Sequence, residues 1–580
     1  MAGSQIFAAR RDRALNRLYA RLARGYARAT GFVSQPEPRT IGGFARGRQL
    51  VAGNLMFAGY LVEAKGRDLW DIGAPDAAFD AERHGFAWLD DLVAVGDTPA
   101  RAQAQQWVWS WIARFDEGRG PGWAPDLTGR RVIRWINHAI FLLRGQDSAE
   151  SEAFFRALAR QSWFLSKRWH SASPGLPRFE ALTGLIYAGL SLEGEEALAD
   201  PAVRALAREC DTQIDHEGGV PTRNPEELLE VFTLLTWAAS ALHEVGRGVP
   251  PAHARAIERI APTLRALRHS DRALARFHGG GRGLDGRLDH ALAASHVKPE
   301  QVHGLAMGYA RLAAGRTSVI IDAAMPPTGA ASFNAHASTL AFELTSGRRP
   351  LIVNCGSGAT FGRQWRRAGR ATPSHSTLGL TGYSSARLAT EDSKTGLVPL
   401  IEGPRHVPIE MSERADGAQF QGGHDGYVAQ FGLTHARRLD LSFDGRQLSG
   451  EDMLLAIEDA DKRRFDQAMD RTKLAGVGFD IRLHLHPEVE ATLDLAGSAV
   501  SLRLKSGEVW VFRPEGGVQM SVEPGVYLES TRLKPRESQQ IVLSGRAMGA
   551  ATRVRWTLSK AQDTAIAVRD VLRDEPVFDR

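Results

Sequence analysis

The chain has 580 residues, 43% hydrophobic and 24% charged: enough apolar content for large cores, and too much length for one ordinary domain. Lys and Arg outnumber Asp and Glu by 72 to 67, a formal charge of +5 with a pI near 9.3, which favours a polyanionic partner without requiring one. Only Cys210 and Cys355 are present, outside any CxxC or Cys/His run, so neither a disulfide framework nor a cysteine-based metal or redox site is expected.

The N-terminal stretch MAGSQIFAARRDRALNRLYARLARGYARATGF mixes Arg with apolar residues at helical spacing and lacks the unbroken apolar core of a secretory signal. Residues 1–40 are therefore expected to form an amphipathic helical segment on a cytoplasmic chain. No stretch reaches the roughly 18 apolar residues that a membrane span needs. Over 41–268 apolar residues recur every three or four positions, as in QLVAGNLMFAGYLVEA, AFFRALARQSWFLSKRW, FEALTGLIYAGLSL and PEELLEVFTLLTWAASALHEV. Short Gly/Pro/Asp breaks between them favour antiparallel neighbours, about ten helices in an incomplete (α/α) toroid. The segment 269–301, centred on RFHGGGRGLDGRLDH, reads as a Gly-rich, charged linker. Beyond it the period becomes two, in TSVIIDAAM, TLAFELTSG, PLIVNCG, DIRLHLHP, AVSLRLKSG and VRWTLSK. Residues 302–580 are expected to form an antiparallel β-sandwich, which makes the chain a multidomain α+β protein.

In HEGGVPTRNPEELLEV, Asn224 is placed to cap a helix starting at Pro225, and Arg223 brings positive charge to that electropositive end, which suits a carboxylate ligand. His336 and His375 stand 39 positions apart with Asn354 between them, and Arg363, Arg366, Arg367 and Arg370 crowd the loop before His375. His424, Asp425, Tyr427 and His435 fall within twelve positions, and a Tyr of lowered pKa can move protons. His484 and His486 alternate onto one strand face, a spacing that permits metal binding and more often gives a wet sheet face. His138, in RRVIRWINHAIF, reads either as a proton carrier or as a packed helical residue. Phosphate-loop, HExxH and GxSxG motifs are missing, and no nucleic-acid-binding module accompanies the basic excess.

HEGGVPTRNPEELLEV, AHASTLAFELTSGRRPLIVNCGS, RATPSHSTL, HDGY and IRLHLHP, in this order across the switch from helix to strand, resemble the heparinase II/III family of polysaccharide lyases. The likeness spans roughly Thr128 to Lys560. It implies a toroid joined to a β-sandwich, a cleft between them, and β-elimination on a uronate-containing acidic polysaccharide in the periplasm or cell envelope. In that reaction the C6 carboxylate is neutralised, a base removes the C5 proton and an acid protonates O4. The family's toroid Asn-His pair would fall at Leu176-Pro177, its Tyr at Glu227, and its H-x-H-x-D at Asn334, His336 and Ser338. Zn2+ held by His336, Asn354 and His375 is the cofactor the resemblance implies, although no cofactor is required for the reaction.

The catalytic set expected on this basis is Arg223 and Arg178 as carboxylate neutralisers, with His375 and Tyr427 or His138 as proton carriers. Asn224, Glu180, Asn334 and Arg370 are expected to contact substrate. Two other readings stay open: a non-catalytic polysaccharide-binding accessory protein, and a glycoside hydrolase using Glu180, Glu226 and Glu227.

Overall fold

The computed structural model describes residues 2–26, 28–300, 302–390 and 398–561, with backbone alone for 2–9. Gln301, at the end of the expected linker, and 562–580, at the end of the expected β-domain, lie outside the described residues. The first half is helical and the second is built of antiparallel sheets, an (α/α) toroid followed by a β-sandwich. The long helices begin where local chemistry starts them. Asp147 and Glu150 form a reciprocal capping box on Ser148–Arg168, and Asn224 Oδ1 accepts the amides of Glu226 and Glu227 at the head of Pro225–Glu244.

One segment departs from its periodicity. QLVAGNLMFAGYLVEA is helical only through Val51, after which Asn54–Phe57 and Tyr60–Glu63 form a hairpin. Ala58 and Gly59 both take positive φ, the two-residue turn whose twist matches paired strands. Helical spacing of apolar residues could not outweigh that break.

Two helices of the toroid touch backbone to backbone. A Cβ on Gly184 of Leu176–Ser191 would lie 2.6 Å from Gly129 Cα of Pro125–Asn137, and one on Gly129 would lie 2.3 Å from the Glu180 carbonyl. Only glycine permits this approach, and it brings Arg130 against Glu180.

The β-domain has two facing sheets. One runs Ile409–Arg414, Gly417–Tyr427, Leu433–Ser442, Gln447–Leu455, Ala551–Lys560, Val509–Glu515, Ala499–Arg503 and Glu490–Asp494. The other runs Gln519–Tyr527, Arg536–Ala547, Val477–Leu485, Arg349–Val353, Phe342–Ser346, Thr317–Asp322 and Tyr309–Ala314, with Leu378–Leu380 also paired to Val477–Leu485. Alternation along Leu433–Ser442 buries every second side chain, and Phe342 stacks on Trp556 between the sheets at 6.0 Å.

The two halves share a core. Tyr309 and Ile320 of the second sheet pack into the toroid's apolar cluster, and the Tyr309 hydroxyl donates to the Arg223 carbonyl at 2.5 Å. The segment between the halves is wedged into this junction rather than spanning it loosely. Leu274 N–H donates to the Arg282 carbonyl, Arg268 bridges Leu274, and Arg287–Ser295 forms a further helix.

Candidate functional site

At the junction, a polar cluster ties toroid to sheet. Arg223, at φ +50, sends its guanidinium to Asp322 Oδ1 at 2.6 Å, to the carbonyls of Met307, Gly308, Ala324 and Met325, and over the Tyr309 ring. Burial alone would lower its pKa, yet Asp322 and Tyr309 outweigh it and hold the charge in place. Arg223 is thus a domain tie with its donors engaged, not a free uronate contact. Asp322 Oδ2 accepts from the Ser338 hydroxyl at 2.7 Å and faces His278 Nε2 at 3.5 Å.

The imidazoles beside it are neutral and ordered by their hydrogen bonds. His278 Nδ1 accepts from the His336 amide at 3.1 Å. His375 Nδ1 lies 2.9 Å from the Ala371 carbonyl, so that nitrogen carries the proton, and Nε2 accepts from His336 Nδ1 at 2.9 Å. Burial pushes His375 down to about 4 and the other two well below their ordinary value. The expected zinc trio does not assemble. Asn354 Oδ1 accepts the Ser376 amide at 3.0 Å and its Nδ2 points to Glu343, while His375 uses both nitrogens within the fold. Among the described residues no three His, Cys, Asp or Glu side chains gather as ligands. This donor set does not fit zinc.

On the toroid side of the junction a row of charged side chains follows one helix. Asp126, Arg130, Arg134 and His138 recur every four residues along one face of Pro125–Asn137 and its cap. Arg134 Nε meets Asp90 Oδ2 at 3.0 Å, and His138 Nε2 meets Asp90 Oδ1 at 2.8 Å and Thr40 Oγ1 at 3.1 Å. Glu230 pairs with Arg287 of the junction helix. Arg130 Nε donates to Glu180 Oε1 at 2.6 Å. The Arg130 side chain is 31% exposed, and its two terminal nitrogens have no partner among the described residues. Glu180 Oε2 is buried without a hydrogen bond, and desolvation pushes this carboxyl up to about 7 against the opposing field of Arg130. Burial raises Glu226 and Glu227 as well.

The Gly279–Gly281 loop connects this side of the junction to the β-domain. Gly281 N–H donates to Glu226 Oε2 at 2.7 Å, a Cβ on Gly280 would strike Asn224 Oδ1 at 2.3 Å, and one on Gly279 would lie 3.2 Å from Asn334 Cβ. Exposed Asn334 accepts from Arg366 of the short, Arg-rich helix Arg363–Gly369.

Other expected site residues lie elsewhere or are sealed. Arg178 binds Glu209 at 3.2 Å and the Ala172 carbonyl at 2.9 Å, fastening neighbouring helices. Arg370 gives its nitrogens to the Ala335, Val398 and Ser332 carbonyls. The Tyr427 hydroxyl donates to the Leu378 carbonyl at 3.1 Å, and burial raises its pKa, the wrong direction for a proton carrier at neutral pH. His424 passes a hydrogen bond to His435, which meets Asp452 at 2.8 Å, with Arg437 and Trp556 closing that network inside the sandwich. Asp425 accepts two loop amides. His484 faces Cys355 Sγ and the Pro373 carbonyl, and His486 packs against Tyr527.

Sequence reasoning missed Asp322, His278 and Arg130. His278 sits in a glycine run that reads as linker. Arg130 had a readable signal, because charges repeating at i, i+4 and i+8 on a helix packed into the toroid core must be paired or reach solvent.

An (α/α) toroid joined to a β-sandwich in this order is the heparinase fold, and the chain belongs to the heparinase II/III-like family. Residues 296–557 match the family model "Heparinase II/III-like, C-terminal". The chain is 31% identical over 554 residues to FtsZ-localized protein C of Caulobacter vibrioides, covering 93% of this chain and 92% of that one. Among solved structures it superposes on heparinase III with a TM-score of 0.68 at 13% identity, over 95% of this chain and 90% of that one. A mutant of the heparan sulfate lyase HepC from Pedobacter heparinus gives 0.57 at 14% identity, over 95% and 88%. No described helix is long and apolar enough to cross a membrane.

Proposed function

We propose that the chain acts as a polysaccharide lyase-type enzyme on a uronate-containing acidic polysaccharide held in the toroid–sandwich cleft, with Arg130 and Glu180 as its working pair. The observation that carries this is their joint state: a guanidinium with two unengaged nitrogens beside a carboxyl poised at about 7 with one unpartnered oxygen. Arg130 neutralises the uronate carboxylate. Glu180 takes the C5 proton, the C4–O4 bond breaks as the C4–C5 double bond forms, and the protonated carboxyl returns its proton to O4. Arg366 and Arg367, on the β-domain wall, meet further acid groups of the polymer.

The test is incubation of the full chain with a panel of glycosaminoglycans and alginate, read by the ultraviolet absorbance of the unsaturated product. Unsaturated product that disappears in Glu180→Gln supports the reading. Polymer binding without product across the panel overturns it.

That second outcome corresponds to a specific alternative, a scaffold that binds acidic glycan without cleaving it. It draws on the sealed state of His138, His375 and Tyr427, and on the name of the FtsZ-localized relative, which suggests a place at the division site. Reducing ends without unsaturation would instead mark a hydrolase working through Glu180 and Glu226 or Glu227.

A further inference from the structure

A cavity of about 470 Å³ opens where the end of Pro251–Ala266, the turn that follows it and the edge strand Tyr309–Ala314 meet. Arg265, Arg268, Arg272 and Arg311 line it together with His269, Ser270 and Asp289. None of these is a residue of the proposed lyase site around Arg130 and Glu180. Counting formal charges with His269 neutral, four arginines against one aspartate leave +3 around the cavity.

The guanidiniums are held in place by neutral groups more than by acids. Arg265 donates to the Val297 and Lys298 carbonyls, at 2.6 and 3.1 Å. Arg311 uses one nitrogen, Nη1, for the carbonyls of Ala266 and Arg268, at 2.9 and 2.6 Å, and so caps the helix end. Its other nitrogens have no partner among the described residues. Burial lowers the pKa of both Arg265 and Arg311, and no carboxylate offsets it at Arg311. Arg268 pairs with Asp289 at 2.7 Å, and Glu300 partly offsets the burial of Arg265. Arg272 is exposed, its backbone N–H donates to the His269 carbonyl at 3.0 Å, its side chain has no hydrogen bond or ion pair among the described residues, and it stands at φ +75, a conformation that favours glycine. A partly buried guanidinium such as Arg311, kept charged without a counter-ion, costs stability unless an anion completes it.

We infer that this cavity is a binding site for a phosphate monoester carried on a sugar-sized or nucleoside-sized body. Forks arriving from a helix end, a turn and a strand suit a tetrahedral dianion with acceptors in several directions, whereas a planar carboxylate is satisfied by a single fork. The volume exceeds what inorganic phosphate fills and falls in the range of small-molecule sites, about 300–1,000 Å³. The inference is independent of the lyase reading, because the two sites share no side chain.

Calorimetric titration of the full chain at fixed ionic strength tests it, with inorganic phosphate, a hexose 6-phosphate, a nucleoside 5′-monophosphate and, as controls, chloride and glucuronate. One saturable site is expected for the phosphates, tighter for whichever ester supplies the natural body, with chloride and glucuronate silent. Arg272→Ala, which removes a side chain that holds nothing else, is expected to weaken phosphate binding roughly tenfold and leave melting of the free protein unchanged. Arg311→Met is expected to abolish binding. Equal heats from chloride or glucuronate, or unaltered phosphate affinity in Arg272→Ala, would overturn the assignment.

Discussion

The toroid floor and the heart of the β-sandwich use the same residue types in opposite states. Around Asp452 the polar atoms close on one another: His435 and Arg437 at 2.8 Å, Trp556 at 3.1 Å, with His424 behind His435. On the toroid floor Arg130 and Glu180 also pair, but Glu180 keeps an unpartnered oxygen and Arg130 two unengaged nitrogens. A closed network specifies a fold, whereas an open one retains donors and acceptors for a ligand. Perturbed pKa values occur in both regions, so perturbation alone does not locate the chemistry. The combination at Glu180, an unpartnered oxygen beside a part-exposed guanidinium with unengaged donors, is what sets the proposed site apart.

The largest effect should come from breaking the closed network. Asp452→Ala leaves the Arg437 charge buried and uncompensated, and is expected to cost about 3–5 kcal/mol of unfolding free energy in a denaturant titration. The network also has a pH signature. Arg437 and His435 hold the Asp452 pKa below the ordinary carboxylate value despite burial, so its contribution is present above the unfolded pKa and is lost as pH falls through the folded one. Asp452→Asn should therefore be less stable at neutral pH and show a shallower loss of stability on acidification. A steep acid limb retained in that variant would mean the network is not closed in the way its geometry indicates.

The open pair should respond in activity instead. Removal of a proton-transferring group typically costs 10²–10⁴-fold, and Glu180→Gln is expected to lower unsaturated-product formation by at least about 100-fold while the polymer still binds. As a base Glu180 works ionised, so the rate should climb as pH rises through about 7. Stability runs the other way. A carboxyl whose folded pKa is raised contributes most below its unfolded pKa, and that contribution is lost as pH rises through about 7. Melting temperature against pH should accordingly flatten between pH 5 and 8 in Glu180→Gln. A rate indifferent to this substitution would move the chemistry off the toroid floor.

Architecture was legible because it depends on long-range averages: helical periodicity to Ala266, alternation from Tyr309 onward, and caps such as Asn224 on Pro225–Glu244. Single elements were less so, as the Ala58-Gly59 hairpin within an apparently helical stretch shows. The candidate site was legible only in part. Glu180 was named for its position near the toroid motif, but its partner Arg130 is brought to it by the Gly129–Gly184 contact, a three-dimensional fact with no local signature. Arg223 looked like an anion ligand because Asp322, 99 positions later, was not visible as its counter-ion. His375 and Tyr427 looked available because sequence shows residue type and hides burial.

The smallest effect tests that last point. If Tyr427 carried a proton, Tyr427→Phe would lower product formation as sharply as Glu180→Gln does. Its hydroxyl instead donates to the Leu378 carbonyl inside the sandwich, where burial favours the protonated phenol. Removing the hydroxyl leaves that carbonyl short of one donor and keeps the ring in its core position, a change worth about 1 kcal/mol of stability. Activity and its pH profile should match the wild type within about twofold, because the ring and the carbonyl both lie buried in the sandwich core. A large loss of rate with only that small loss of stability would show that the sandwich opens during turnover, and would erase the distinction between the closed and open regions.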